Sequence, residues 1–374
     1  MASRICICPS SYQFIIIIMT FLWLHYSSIL TLSSQELGNE TKQVNEVNRR
    51  QGVEGKAGKC HLFVGTWVQD NTYPLYKYSD CPIIDPQFNC LMHKRPDTEY
   101  LKCRWQPAKC QIPRFSALKF LKRMRRKRVM FVGDSLGRNQ WESLVCMIHA
   151  GLPKPKRMRI VTDDPLYTVE FMDYGVTVSF YRAPYLVDVV SVKGKRVLRL
   201  GNIWRNAKAW KKADVLSFNT GHWWTHQKSL QGWDYVETHE GKYVNMDPSV
   251  ALMQGLKTWA RWVDKHIDTT KRKVFFLGIS PTHSRCNGVA KFLGKKSSDT
   301  VTYSDQMKVL HEVLISMKKR PFLLNITMLS AIRRDAHPSF YGGTSNNLDC
   351  SHWCLPGLPD TWNQLFYTAL LSSH

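Results

Sequence analysis

Four short, largely apolar runs at residues 129–132, 215–218, 274–277 and 322–326 constrain the fold of this chain more than any other feature. Runs of four or five mostly apolar residues without alternation suit strands buried on both faces, the pattern of a parallel sheet. Windows with helical spacing lie between them. Residues 248–267 carry Val250, Met253, Leu256, Trp259 and Val263 at helical intervals, and 136–150, 303–317 and 361–371 behave similarly. Residues 168–180 and 189–200 read instead as hairpins, turning at Asp173-Tyr174-Gly175 and Lys193-Gly194-Lys195. The economical assembly is an α/β fold, a three-layer α/β/α sandwich with a β insertion.

The first run ends in Gly133-Asp134-Ser135, and a helical window opens directly after it. Such a strand-to-helix turn can expose a serine hydroxyl at the carboxyl edge of a sheet and aim helix N-terminal amides at an oxyanion. Asp and Ser are also favoured N-caps, so the triplet reads equally as an ordinary helix start. Near the other end, Asp349 and His352 stand three residues apart, and a single turn brings the carboxylate alongside the imidazole. A serine hydroxyl needs an imidazole to take its proton, and the imidazole needs an acceptor on its other nitrogen. Ser135, His352 and Asp349 fill those three roles. The bland reading of the last two is a hydrogen-bonded pair in a cysteine-rich loop.

Asn219-Thr220-Gly221-His222-Trp223-Trp224 follows the second apolar run, which puts Asn219 at the same sheet edge, where its amide can donate to a developing oxyanion. Trp223 and Trp224 suit a stacking surface for sugar rings, or else core aromatics behind a turn. Cys350, His352 and Cys354 also have the spacing of a zinc cluster, which needs free thiolates.

The compartment bears on that choice. Residues 14–32 contain no formally charged side chain and approach the roughly 20 residues that span a bilayer. They read as a retained signal anchor, with a cleaved signal peptide as the competing possibility. Either way, the chain beyond residue 33 or so lies in the secretory lumen or outside the cell. Two of the eleven cysteines, Cys6 and Cys8, precede this segment; the other nine face oxidising conditions, which favour disulfides with one thiol left over. No metal is therefore expected. Asn39 and Asn325 open glycosylation sequons, the second inside an apolar run. The formal net charge of +23 raises nucleic acid as a partner, and residues 119–128 (KFLKRMRRKR) are the densest basic run. A lumenal location argues against nucleic acid; the run reads as a solvated helix face or as an attractor for an acidic polymer such as a uronic-acid polysaccharide.

Taken together, the motifs SDCPIIDPQFNC, RWQPAKCQIPRF, MFVGDSLGRNQWESLVC, ADVLSFNTGHWW, RRDAHPSFY and DCSHWCLPGLPDTWN resemble, in order, those of the plant trichome birefringence-like proteins, relatives of the GDSL/SGNH esterases. The resemblance covers about residues 59 to 372. It implies an SGNH-type sandwich with a disulfide-rich N-terminal extension, in a single-pass type II Golgi membrane enzyme that O-acetylates cell-wall polysaccharides. By the same analogy Ser135 is the nucleophile, His352 the base and Asp349 its partner. Gly133, Asn219, Arg138, His222, Trp223 and Trp224 become candidates for oxyanion or substrate contact. The family pattern implies disulfides Cys60–Cys110, Cys81–Cys146, Cys90–Cys354 and Cys286–Cys350, with Cys103 free.

The expected organisation is a cytosolic tail (1–12), an anchor (13–32), a stem (33–58), a cysteine-rich subdomain (59–113) and a catalytic domain (114–374), the last two packed as one lumenal unit. No tightly bound cofactor is expected, only an acetyl donor, either acetyl-coenzyme A or an acetylated carrier. The expected partners are a polysaccharide acceptor, the Golgi membrane and an acetyl-donor transporter. Two departures stand out: Gly201-Asn202 falls where many relatives carry an acidic residue, and the glycine of the superfamily's second motif block is not placed in this sequence, which leaves the oxyanion hole partly assigned.

Overall fold

The alternation of buried runs and helical windows builds a seven-stranded sheet, and its strand order decides where chemistry can sit. Two antiparallel pairs come first, β1 (Val53–Gly55) with β2 (Gly58–Cys60) and β3 (Gly65–Gln69) with β4 (Cys103–Pro107). The large sheet comprises β5 (Arg128–Gly133), β6 (Met158–Asp163), β7 (Leu166–Phe171), β8 (Val176–Arg182), β11 (Val215–Phe218), β14 (Lys273–Leu277) and β15 (Phe322–Leu324). Between β8 and β14, β9 (Asp188–Val192), β10 (Lys195–Arg199), β12 (Tyr235–Glu237) and β13 (Lys242–Tyr243) make a smaller sheet. The large sheet runs β15-β14-β11-β5-β8-β7-β6. Its first five strands are parallel, while β7 is antiparallel to both β8 and β6. From β5 the chain crosses to the β6 edge and returns inward through β7 to β8, then builds outward on the other side through β11, β14 and β15. The carboxyl ends of β5 and its neighbours therefore form a topological switch point, where such sheets open a crevice.

This architecture is that of a computed structural model, which describes residues 53–55, 58–153, 157–226, 230–286, 304–343 and 348–372. The expected tail and anchor, nearly all of the stem and Asn39 lie outside the described residues. Among the described residues no helix is long and apolar enough to cross a membrane. Residues 53–374 form one compact unit.

The three layers follow from the period of two along the strands. Phe131 and Phe275 turn to one face, where both meet Phe366 of α7 (Leu358–Ser372) at ring separations of 5.8 and 4.7 Å. Phe218 and Phe276 turn to the other, against Trp259 of α4 (Pro248–His266) at 5.4 and 4.9 Å. Each such buried ring contributes roughly 1.5–3 kcal/mol. The first layer also holds α1 (Ala117–Arg123) and α2 (Ser135–Ala150), and the second α5 (Asp305–Ser316), which packs on α4. Two short helices complete the set, α3 (Trp204–Trp210) and α6 (Thr327–Ala331).

Three features differ from the sequence expectation. The stripe of α4 that meets the sheet is Leu252, Leu256, Trp259 and Val263, while Val250 faces solvent, because Asp247 caps the helix just ahead of it and the first turn lies beyond the core. The first predicted hairpin is no separate insertion: β8 pairs with β5, and β7 and β6 extend the main sheet. Asn325 is buried, 5% exposed, so a glycan on this sequon has no room in the fold.

The disulfides are Cys60–Cys110, Cys81–Cys146, Cys90–Cys354 and Cys286–Cys350, the pairs the resemblance implies. Cys103 remains a buried free thiol, pushed up to about 11 chiefly by burial. With Cys350 and Cys354 both oxidised, a zinc cluster at Cys-x-His-x-Cys has no thiolates to use.

Candidate active site

The Ser135 hydroxyl owes its position to its neighbours in the turn. Asp134 takes the N-cap role, its Oδ1 accepting from the Leu136 amide at 2.9 Å, which makes Ser135 the first helical residue of α2. The cap and the candidate nucleophile are thus adjacent residues, and both sequence readings of the triplet hold. The Ser135 amide has no acceptor among the described residues, as expected for the first residue of a helix. It lies at the positive end of a 16-residue helix dipole.

The Asp349–His352 turn comes up from the other end of the chain. Asp349 Oδ1 accepts from the amides of Ser351 and His352 at 3.0 and 3.1 Å and from Ser351 Oγ at 3.0 Å, while Oδ2 accepts from His352 Nδ1 at 2.8 Å. Burial raises the Asp349 pKa, but the hydrogen bonds from His352 and Ser351 outweigh it and hold the carboxyl well below the usual range. With its Nδ1–H donating to the Asp349 carboxylate, His352 presents a bare Nε2, and Ser135 Oγ lies 2.7 Å from it. Ser135, His352 and Asp349 therefore form one hydrogen-bonded chain.

Several residues hold this chain in place. Asn139 of α2 clamps the loop by pairing with both main-chain groups of Trp353, Nδ2 to O at 3.1 Å and N to Oδ1 at 3.0 Å. Behind the loop, His337 stacks on Trp353 with centroids 3.8 Å apart and donates from Nδ1 to the His352 carbonyl at 2.5 Å. His283 Nδ1 lies 2.7 Å from His337 Nε2.

The cysteine-rich segment also reaches the site. The Gln87 amide lies 3.1 Å from His352 Nδ1, and the Phe88 ring packs against the imidazole at 5.5 Å. Asp85 bonds Arg138 of α2 at 2.6 Å, and its own amide donates to Glu142 of α2 at 2.8 Å. Phe88 O accepts from Leu355, and Cys90 is joined to Cys354. Residues 85–90 are thereby strapped to the helix carrying Ser135 and to the loop carrying His352. Gln87, Asp85 and Asn139 escape a reading from residue chemistry alone. All three lie inside quoted family motifs, which is the one signal that points to them.

A cavity of about 1330 Å³ opens over the triad, lined among others by Gln87, Ser135, Arg138, His222, Trp223 and His352. Val189 and Arg196 of the smaller sheet form part of its wall. His222 is anchored to Ser280 O at 2.8 Å. Two candidates fall elsewhere. Trp224 is core, 1% exposed, with its indole N–H bonded to Thr220 Oγ1 at 2.7 Å and its ring against Gly255. Asn219 is buried and does not line the cavity; it gives one of its two amide hydrogens to Asp134 Oδ1 at 2.5 Å, which ties it to the turn. Its Oδ1 rests against the bare Cα atoms of Gly133 and Gly137, where a Cβ on either would collide with it. Gly133 is thus required by this close approach. At the exit of β8 the Ala183 amide is also spent, on Gly133 O at 2.9 Å. Gly201 and Asn202 do not line the cavity; Asn202 Oδ1 accepts from the amide of Trp204 at the start of α3.

Residues 112–369 match the family described as the GDSL/SGNH-like acyl-esterase family found in Pmr5 and Cas1p, and residues 58–111 match the PMR5 N-terminal domain. The protein trichome birefringence-like 38 of Arabidopsis thaliana is 46% identical over 379 residues, covering 96% of this chain and 99% of the relative. The chain belongs to the trichome birefringence-like family. Two further Arabidopsis members, trichome birefringence-like 39 and 40, are 46% and 47% identical over 90% and 84% of this chain, and over 92% and 88% of their own lengths. As a trichome birefringence-like protein with a GDSL/SGNH-like acyl-esterase domain, it is an enzyme of the acyl-transfer and esterase class.

Proposed function

We propose that this chain is a polysaccharide O-acetyltransferase working through an acetyl-serine. The hydrogen-bonded chain Ser135–His352–Asp349 at the floor of an open cavity carries the reading. His352 Nε2 takes the Ser135 proton as Oγ attacks the acetyl carbonyl carbon of the donor. Negative charge gathers on the carbonyl oxygen, where the Ser135 amide and the α2 dipole stabilise it. The intermediate collapses, the donor's leaving group departs with the proton from His352, and acetyl-Ser135 remains. A sugar hydroxyl then gives its proton to His352 and attacks the ester, restoring Ser135. Asp349 stays ionised and fixes the imidazole tautomer throughout.

In this reading the acceptor is a plant cell-wall polysaccharide and the donor is acetyl-coenzyme A or an acetylated carrier. The expected setting is the Golgi lumen, with the chain held by its apolar segment 13–32 and supplied by a donor transporter. Hydrolysis is the second reading, favoured by the acyl-esterase description of the matched family and by the open cavity. Incubation with an acetyl donor and a panel of unacetylated wall oligosaccharides separates the two, with NMR locating any new ester. Transfer predicts acetylated sugar, whereas an esterase releases acetate alone. Ser135→Ala should lower the rate by a factor of about 10³ or more; full transfer by this variant rules the mechanism out.

A further inference from the structure

The amino edge of the large sheet, opposite the triad, carries a row of positive charge that the proposed chemistry does not use. Because β5, β11, β14 and β15 are parallel, the stretches leading into them lie side by side. All four are basic: residues 125–128 (RRKR), 211–212 (KK), 271–273 (KRK) and 318–320 (KKR), twelve cations in all. Main-chain bonds join the entries of β5, β11 and β14, with the Asp214 amide donating to Arg128 O at 2.9 Å and the Lys273 amide to Asp214 O at 3.0 Å, and β15 follows as the parallel neighbour of β14. With strands about 4.8 Å apart, the row spans roughly 14 Å.

The two edges of the sheet treat their cations differently. Of the four arginines that line the cavity, three meet a carboxylate, Arg138 with Asp85 at 2.6 Å, Arg182 with Asp164 at 2.6 Å and Arg196 with Asp234 at 3.3 Å; Arg334 is the fourth. Of the twelve cations on the amino edge, Lys271 alone meets a carboxylate among the described residues, at 3.8 Å from Asp268. Asp214 and Asp264 also lie here, but their carboxylates accept from main-chain amides of Arg128, Lys318 and Lys319 at 2.7–3.1 Å. Positive charge in such excess over its counter-charges attracts a polyanion, and more strongly at low salt.

We propose that this edge is a binding face for a linear, carboxylate-bearing polysaccharide. The charges run in a line across successive strands, which matches a chain of repeated uronate groups better than a lipid surface. Such a face retains an acidic polymer on the enzyme while the opposite edge carries the chemistry, raising the local concentration of hydroxyl groups. The inference does not rest on the acyl-transfer reading, because binding is measured without turnover.

The test is binding of fluorescent polygalacturonate by the full chain, compared with its methyl-esterified, uncharged form. The uncharged form should bind weakly, and raising the salt from about 50 to 300 mM should weaken polygalacturonate binding steeply. The Arg125→Gln, Lys127→Gln, Lys212→Gln, Lys318→Gln variant should bind polygalacturonate at least about tenfold more weakly with an unchanged melting temperature. If that variant fails to fold, the exposed pair Lys212→Gln, Lys318→Gln should still cost about threefold. Unchanged affinity in a folded variant, or equal binding of the uncharged polymer, overturns the proposal. Stronger capture by phosphatidylserine vesicles than by polygalacturonate overturns it in favour of a membrane-docking face.

Discussion

At the scale of single residues, the nucleophile's turn depends on two missing side chains. Asn219 can lie across the start of α2 only because Gly133 and Gly137 present no Cβ to its Oδ1. Gly137→Ala should therefore destabilise the fold by about 1–3 kcal/mol, seen as a lower urea midpoint with an unchanged slope. In an Asn219→Ala background the same change should cost much less, because the clash partner is gone. Equal costs in both backgrounds would show that the contact is not what Gly137 protects. The triad residues are legible in the sequence because Asp349 and His352 find each other within one turn and Ser135 follows a clear strand. Asn219 is legible only as far as its place at the sheet edge; that one of its amide hydrogens goes to Asp134 depends on a register between β5 and β11 that no local pattern states. Trp224 illustrates the same limit, since a tryptophan beside a half-buried, cavity-lining one looks alike in sequence whether it stacks on substrate or fills the core.

Among the elements, the strap at residues 85–90 joins parts that the sequence separates by more than 200 positions, as in the Gln87–His352 and Cys90–Cys354 contacts. Strands and long helices emerge from periodicity because each is specified by its own residues. The strap is irregular, and its meaning lies wholly in what it touches. Opening its disulfide with Cys90→Ser and Cys354→Ser should reduce unfolding free energy by about 2–5 kcal/mol. Turnover should fall as well, since Gln87 and Phe88 lose their hold on the imidazole. Cys60→Ser with Cys110→Ser, remote from His352 in its contacts, should destabilise while leaving turnover per folded molecule near that of the parent. Denaturation curves and rates normalised to folded protein decide it, and equal turnover losses in both pairs would remove the strap's special place.

For the molecule as a whole, four buried groups shape the dependence of stability on pH. Burial raises Glu142 to about 8 and Asp360 to about 7, and lowers His311 to about 4 and His337 to about 3. The carboxyls hold protons more tightly when folded, so their contribution is complete below the ordinary values of 4.5 and 3.8 and is lost as pH climbs through 7 and 8. The imidazoles hold protons less tightly when folded, so theirs is complete above 6.5 and is lost as pH falls toward 4 and 3. The two pairs oppose each other in mildly acidic solution, but above 6.5 only the carboxyls still titrate. The melting temperature should therefore drop between about pH 6.5 and 8.5, and Asp360→Asn should flatten the drop; a rise over that interval contradicts the assignment. The strap also bears on where the chain can be divided. A fragment beginning at residue 112 would keep every atom of the triad and match the acyl-esterase family along its whole length, yet would lack Asp85, Gln87, Phe88 and one sulfur of the bond beside His352. The border between the two matched families is thus no place to cut this enzyme, and a secreted version made for crystallography or assay should retain the cysteine-rich segment as part of its working machinery.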